Sequence, residues 1–471
     1  LNRRYGWSKF IVVVPSIAIR EGVRKSFDTM ADHFQEHYGK KAQCFMYDSN
    51  HLQEIDSFSQ SADIYVMIIN MQAFNSSFNP EKNKEGRGGD SAARIIYSTP
   101  DSFGSRRPID VIAANRPIVI RDEPQKMGGE KTQNALKQFK PLFVLNYSAT
   151  HKQHHDLVYV LDALDAYNNR LVKRIEVKGF DIRNLSGTNS YLYLESIVIS
   201  PKKPPMARIE MEIRHKSGIK RETRLVGFDD NLFDISKGME QYRGYRVRDD
   251  IDPIRKTISF TNGEVLHVGE VVGDITEANL RRIQIRETIR SHFEKEKELF
   301  SRGIKTLSLF FIDKVENYRK YDDDGNEINS TFGEIFEEEY MAVLNEYLTL
   351  FDTPYEQYLR GIDVHQTHAG YFSIDKKGRK VDSSLKRGSD ESDDISAYNL
   401  ILKDKERLLS FENPVRFIFS HSALREGWDN PNVFQICTLK HGGSSSTQKR
   451  QEVGRGLRLC VNQSGDRQDA V

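Results

Sequence analysis

Pro117-Ile118-Val119-Ile120-Arg121-Asp122-Glu123-Pro124-Gln125 is the stretch that decides the fold class. Four apolar residues, three of them β-branched, run without alternation into a polar turn, as in a strand buried on both faces of a parallel sheet. Three similar runs surround it, Phe10 to Val14, Ile64 to Ile69 and Leu142 to Leu145, each followed by a polar loop and then by helical spacing. Residues 10 to 150 therefore predict a parallel α/β sheet. Ligands of such sheets sit at the carboxyl ends of the strands, which is where Asp122 and Glu123 stand.

Downstream the period changes. From about Lys173 to Asp274 short alternating segments take over, with Ile209, Met211 and Ile213 set between Arg208, Glu210, Glu212 and Arg214. Ser217-Gly218 and Asn262-Gly263 are hairpin turns for an antiparallel module. A helix start at Thr276 opens a charged helical stretch to about Arg302, and the run Leu307 to Ile312 begins a second α/β section. The chain thus divides into 1–172, 173–275 and 276–471: two parallel-sheet α/β domains with an antiparallel β-rich module between them. Lys82 to Asp90 and Lys376 to Asp394 read as polar insertions.

Composition excludes several function classes. The 471 residues are 38% hydrophobic and 29% charged, enough for packed cores in a dissolved protein. Lys plus Arg number 69 against 68 Asp plus Glu, so any nucleic-acid contact must come from local patches. Cys44, Cys437 and Cys460 are too few and too scattered for a disulfide framework or a zinc site, which points to a reducing cytoplasm. No apolar run approaches the ~18 residues of a membrane span.

Three groups of residues carry chemistry. At a strand end, an Asp can hold Mg²⁺ while the next Glu orients or deprotonates a water attacking a phosphate; an isolated acidic pair also fits a solvated turn. Arg455 and Arg458, in Gln451-Glu452-Val453-Gly454-Arg455-Gly456-Leu457-Arg458, share a face if that segment is helical and could clamp a phosphoryl group. A solvated basic face is the plain alternative. In Ala423-Leu424-Arg425-Glu426-Gly427-Trp428-Asp429, Gly427 permits close backbone approach and Asp429 can reach a ribose or a water.

In chain order, these groups, with Pro15-Ser16 and Ser148-Ala149-Thr150 at two further strand ends, resemble motifs Ia, II, III, V and VI of superfamily two helicases. The wording is most similar to the Res subunit of type III restriction enzymes, in Ile17-Ala18-Ile19-Arg20-Glu21-Gly22, Asp122-Glu123-Pro124-Gln125 and Ser420-His421-Ser422-Ala423-Leu424-Arg425-Glu426-Gly427-Trp428-Asp429. The resemblance implies two RecA-like domains with ATP in the cleft between them, forming the motor of an ATP-dependent DNA helicase or translocase. It implies Asp122 as the Mg²⁺-binding acid, Glu123 as general base, Arg455 and Arg458 as arginine fingers, and Gln451 near the γ-phosphate. Ser148 and Thr150 would couple nucleotide state to DNA grip, Gly427 and Asp429 would meet the nucleotide from the second domain, and Pro15, Ser16 and Arg20 would lie along the DNA backbone. ATP, Mg²⁺, double-stranded DNA, a DNA adenine methyltransferase (Mod) subunit and a bacterial cytoplasm without membrane contact complete the implied setting.

The sequence departs from the family pattern in two places. Gly-x-x-x-x-Gly-Lys-Ser/Thr is absent, since Glu130 interrupts Gly128-Gly129-Glu130-Lys131-Thr132, and a PD-D/ExK nuclease constellation is absent too. The resemblance would place the first before residue 1 and the second after motif VI. A fragment that alone hydrolyses ATP poorly and does not cut DNA is the expectation, with another superfamily two helicase or a non-hydrolysing DNA-binding remnant as alternatives. Asp322 to Asn326 lacks the offsets of a calcium loop, and His151, His154 and His155 have no partner at ligand spacing.

Overall fold

The computed structural model describes residues 1–15, 17–74, 95–148, 156–179, 181–183, 190–273, 277–348, 352–374, 379–382, 406–421, 430–440 and 446–468. The expectations for Lys82 to Asp90, for most of Lys376 to Asp394, and for the three histidines at 151, 154 and 155 lie outside these residues.

The first sheet has five parallel strands: β1 (Lys9–Val14), β2 (Gln43–Met46), β3 (Tyr65–Asn70), β4 (Ile118–Asp122) and β5 (Val144–Tyr147), in the spatial order β2-β3-β1-β4-β5. Four of them are the apolar runs of the sequence. β2 escapes that reading because Gln43-Cys44-Phe45-Met46 contains no β-branched residue. Alternate side chains serve opposite faces. Ile11, Val13, Met67 and Ile69 pack with Phe58, Ile112 and Phe139, whereas Val12, Val14, Val66 and Ile68 pack with Ile19 on the other side. The chain leaves β1 toward β2 but leaves β4 toward β5, so the order reverses between β1 and β4. That reversal opens the crevice at the carboxyl ends in which doubly wound sheets bind ligands.

Residues Ile175–Gln284 form a compact unit of their own. It holds a five-stranded sheet, β6 (Asp181–Arg183), β7 (Leu192–Ser200), β8 (Lys203–His215), β9 (Gly218–Val226) and β13 (Glu270–Val272), in the order β6-β13-β7-β8-β9, and a three-stranded sheet of β10 (Val247–Asp252), β11 (Thr257–Phe260) and β12 (Val265–His267). All pairs are antiparallel except β6 with β13. The alternation along β8 is real, with Ile209, Met211 and Ile213 in the core, but its polar face is buried at one position, Glu210. Glu210 is buried and accepts a hydrogen bond from Tyr191 Oη at 2.7 Å, beside the small cluster of Tyr191, Tyr193, Val271 and Ile283. At Gly273, whose φ is +98°, an added Cβ would stand 2.2 Å from the Ser190 carbonyl oxygen, so no side chain fits there.

Leu1–Arg174 and Ile285–Val471 group together as the other compact unit. Its second sheet is also parallel, in the order His368–Tyr371, Phe417–Ser420, Leu307–Ile312, Val433–Leu439. Aromatic packing dominates this core. Phe310 stacks on Phe419 at 4.6 Å and Tyr318 stacks on Phe419 at 4.2 Å, with Phe336 of the helix Thr331–Tyr347 edge-on. The helix expected from Thr276 runs Glu277–Phe300 and contributes Ile285, Ile289 and Phe293 to the same cluster. The protein is therefore α/β, with two RecA-like parallel sheets and a β-rich module between them in sequence. Among the described residues no helix is long and apolar enough to cross a membrane.

Candidate functional site

Asp122 is the last residue of β4, and its carboxyl end lies at the reversal between β1 and β4. Register places Val13 beside Arg121, so Pro15, one residue past the end of β1, leaves the sheet next to the acidic pair. Burial, and then the neighbouring Glu123 carboxylate, holds the Asp122 carboxyl above its ordinary value. A cation at that point would relieve both effects, and a hard oxygen donor on a strand end suits Mg²⁺, which takes one or two carboxylates and completes its shell with water and phosphate. The donor set fits.

Glu123 sits in left-handed backbone, φ 52° and ψ 55°, a conformation uncommon outside glycine and found at functional turns. Its amide donates to the Tyr147 carbonyl at 2.9 Å, which ties the acidic turn to the end of β5. Gln125 Nε2 donates to Glu123 Oε2, and Ser148 Oγ donates to Gln125 Oε1 at 2.9 Å. Glu123 and Ser148 are thus joined through one side chain. Gln125 has no task that its sequence neighbours assign; its place three residues after the strand-end acid is the available signal. Beneath the turn, Arg121 Nε donates to Asn146 Oδ1 at 2.7 Å and its Nη1 to Gln133 Oε1 at 3.0 Å, which fixes the direction of β4 against β5.

Arg20 lies on the helix Ile17–Thr29 that follows β1. With Arg24, Tyr47, Asp48, His51 and Asn70 it lines a cavity of about 410 Å³ at the carboxyl ends of β2 and β3. Its guanidinium contacts Glu21 at 3.3 Å. Ser16 and Thr150 lie outside the described residues.

The second sheet carries the other group. Gln451 stands on the helix Ser446–Gly454, and the neighbouring Glu452 anchors that helix. Glu452 is buried, accepts from Thr438 Oγ1 at 3.1 Å, and also accepts from Lys440 Nζ. The helix ends at Gly454, so Arg455 lies in the following turn and Arg458 in extended backbone. The shared helical face considered from their spacing does not form, because the helix ends at Gly454, before Arg455, and Gly456 follows between the two arginines. Gly456 lets this loop lie close on the sheet, since a Cβ there would meet Ile436 Cδ1 at 3.1 Å. Gly427 and Asp429 fall outside the described residues.

One residue that sequence reading missed links several of these parts. Val172 bridges Arg458, and the Lys173 amide donates to the Leu457 carbonyl at 2.8 Å. Lys173 Nζ is buried, donates to the carbonyls of Pro431 and Val433 at 2.8 and 2.6 Å, and lies 4.2 Å from the centre of the Phe434 ring. Burial draws its pKa down to about 7. Lys173 thereby fastens the arginine-bearing loop to the residues that follow Asp429. Lys173→Met would leave two buried carbonyls without their donor, at about 1–3 kcal/mol. Urea denaturation is expected to show that loss, and an unchanged midpoint would reject the role.

Residues 1–153 match the family model described as the Res subunit of type III restriction enzymes. Across 98% of its length the chain is 33% identical to the Res subunit of the EcoP15I enzyme of Escherichia coli and to that of the EcoPI enzyme of Escherichia phage P1. Over nearly its whole length the chain is thus similar to Res subunits of type III restriction enzymes. A third member, the StyLTI Res subunit of Salmonella typhimurium, is 29% identical over 99% of the chain. The chain spans about half the length of these curated relatives, 46% to 48%. The two parallel sheets are in keeping with that likeness.

Proposed function

We propose that this chain is the ATP-driven motor region of a type III Res subunit. It would move on double-stranded DNA alongside a DNA adenine methyltransferase (Mod) partner, before cleavage by the complete enzyme. The observation that carries this reading is the hydrogen-bonded path from Glu123 through Gln125 to Ser148 at the crevice between β1 and β4. Such a path gives the residue next to a hydrolytic water a direct mechanical connection to a neighbouring strand end.

In this reading, residues 1–172 and 276–471 are the two motor domains and 173–275 the intervening module. Asp122 holds Mg²⁺, which when bound neutralises charge on the phosphates of ATP. Glu123, fixed by Gln125, takes the proton of the attacking water. Gln451, Arg455 and Arg458 meet the γ-phosphate, and Gly427 and Asp429 meet the nucleotide. Ser148 and Thr150 pass the nucleotide state to Pro15, Ser16 and Arg20 on the DNA. Turnover of ATP should therefore depend on DNA. The test is phosphate release by the full-length protein with its methyltransferase partner, with and without duplex DNA; turnover that DNA leaves unmoved would remove the motor reading.

A further inference from the structure

The hairpin β8–β9 outruns its neighbour. β7 pairs with β8 as far as Met211, opposite Leu192, while β8 and β9 remain paired to His215 and Gly218. Four residues at ~3.4 Å each carry the tip roughly 14 Å past that last pair. Between Lys203 and Val226 stand seven basic residues (Lys203, Arg208, Arg214, Lys216, Lys220, Arg221, Arg224) and three acidic ones (Glu210, Glu212, Glu222), a difference of four positive charges in a chain whose net charge is +1.

The acids are already engaged. Glu210 is buried against Tyr191, Glu212 takes Arg221 at 3.1 Å and Gln241 at 3.1 Å, and Glu222 takes His215 at 2.8 Å and Arg224. At the tip, Arg214, Lys216 and Lys220 are exposed and make no ion pair or side-chain hydrogen bond with any described residue. Glu240, which feels the Arg214 charge, is already held by Arg243 at 2.7 Å. Register puts Lys220 on the face of Ile213 and Arg214 on the other face, opposite Ile219, with Lys216 in the turn. Lys237 adds a fourth exposed position close by, since the Arg214 amide donates to the Ser236 carbonyl at 3.1 Å.

A two-stranded ribbon fits the DNA major groove, and cations on both faces of its tip can meet the phosphates of both strands. We propose that the β8–β9 tip is a DNA-backbone contact made through Lys216, Lys220 and Arg214. This rests on the reading that the chain acts on DNA, and adds where the module touches it.

Anisotropy of a fluorescent duplex of about 30 bp, titrated with the purified chain across a salt series, is the test. Lys216→Glu with Lys220→Glu is expected to weaken binding about tenfold or more and to lower the slope of log K against log salt by about 2, near 0.9 per phosphate contact. Lys202→Glu with Lys203→Glu makes the same charge change at the opposite end of β8 and is expected to leave the slope unchanged. Equal thermal melting of the variants and the parent chain checks that all are folded. If both pairs weaken binding equally, the effect is one of net charge and the tip assignment is overturned. Unaltered binding by the tip variant overturns the tip assignment while leaving the motor reading in place, and a parent chain that binds no duplex overturns both. A tip variant that loses binding to phosphatidylglycerol vesicles but keeps duplex binding would make the surface a lipid contact instead.

Discussion

Glu123→Gln is expected to leave ATP binding intact and to abolish turnover, in a form of the protein that carries a phosphate-binding loop. Gln keeps the shape of the side chain and can still meet Gln125, so the turn between β4 and β5 should persist. It cannot accept the water's proton, a function worth about 10²–10⁴ in rate. Arg455→Ala and Arg458→Ala should each slow turnover by a factor on the order of 10³ or more if they stabilise charge on the transferring phosphoryl group. These two arginines are supported differently. Arg455 follows a helix pinned by Glu452, while Arg458 is held through the Val172 bridge, so their losses need not be equal. The measurement is single-turnover phosphate release, with DNA affinity recorded in parallel. Unchanged turnover together with DNA binding that weakens steeply with salt would make the arginines a basic face.

The parallel sheets were legible because strands buried on both faces must be apolar throughout, and Ile118 to Ile120 and Leu307 to Ile312 carry that mark in one dimension. β2 was not, since Phe45 and Met46 pack into the sheet without a β-branched run. Asp122 and Glu123 stood out as candidates from their place at a strand end, and Arg455 and Arg458 from their spacing. What spacing could not give was the end of the helix at Gly454. Gln125 and Lys173 show a second limit. Their tasks depend on Ser148, Pro431 and Val433, between 23 and 260 residues away, and no local pattern records such distances. Glu210, buried on the polar face of β8, is a third case, because period-two alternation reports one buried face and is silent about a carboxylate that a buried tyrosine satisfies.

Arg416→Met is expected to destabilise the second α/β sheet by about 3–5 kcal/mol, the cost of leaving one buried charge without its partner. Arg416 and Glu296 are both fully buried. Arg416 Nε donates to Glu296 Oε1 at 2.8 Å, its Nη2 donates to Oε2, and its Nη1 donates to Tyr340 Oη at 2.5 Å. Tyr355 Oη completes the carboxylate at 2.9 Å, and His292 Nε2 stands 3.4 Å away while its Nδ1 meets Ser308 Oγ at 2.8 Å. The network ties the helix Glu277–Phe300 to the strand Phe417–Ser420, which leads into the Glu426-Gly427-Trp428-Asp429 motif. Burial pushes the Glu296 carboxyl up, but Arg416 and then His292 outweigh it and hold it at about 2. Without Arg416 that carboxyl rises and protonation relieves it, so the deficit of Arg416→Met should be largest near neutrality and narrow as pH falls toward about 5. Burial also draws His292 down to about 4, against an ordinary 6.5. The unfolded chain therefore binds the extra proton first, and the parent protein should lose stability as pH drops from about 6.5 toward 4. Replacing both partners, Arg416→Met with Glu296→Leu, removes the buried charge and should recover much of the single-variant loss. Urea denaturation of the four proteins at two pH values gives the coupling directly. A double variant no more stable than Arg416→Met would mean that packing against Phe293, 4.9 Å from the guanidinium, rather than charge pairing, is what Arg416 contributes.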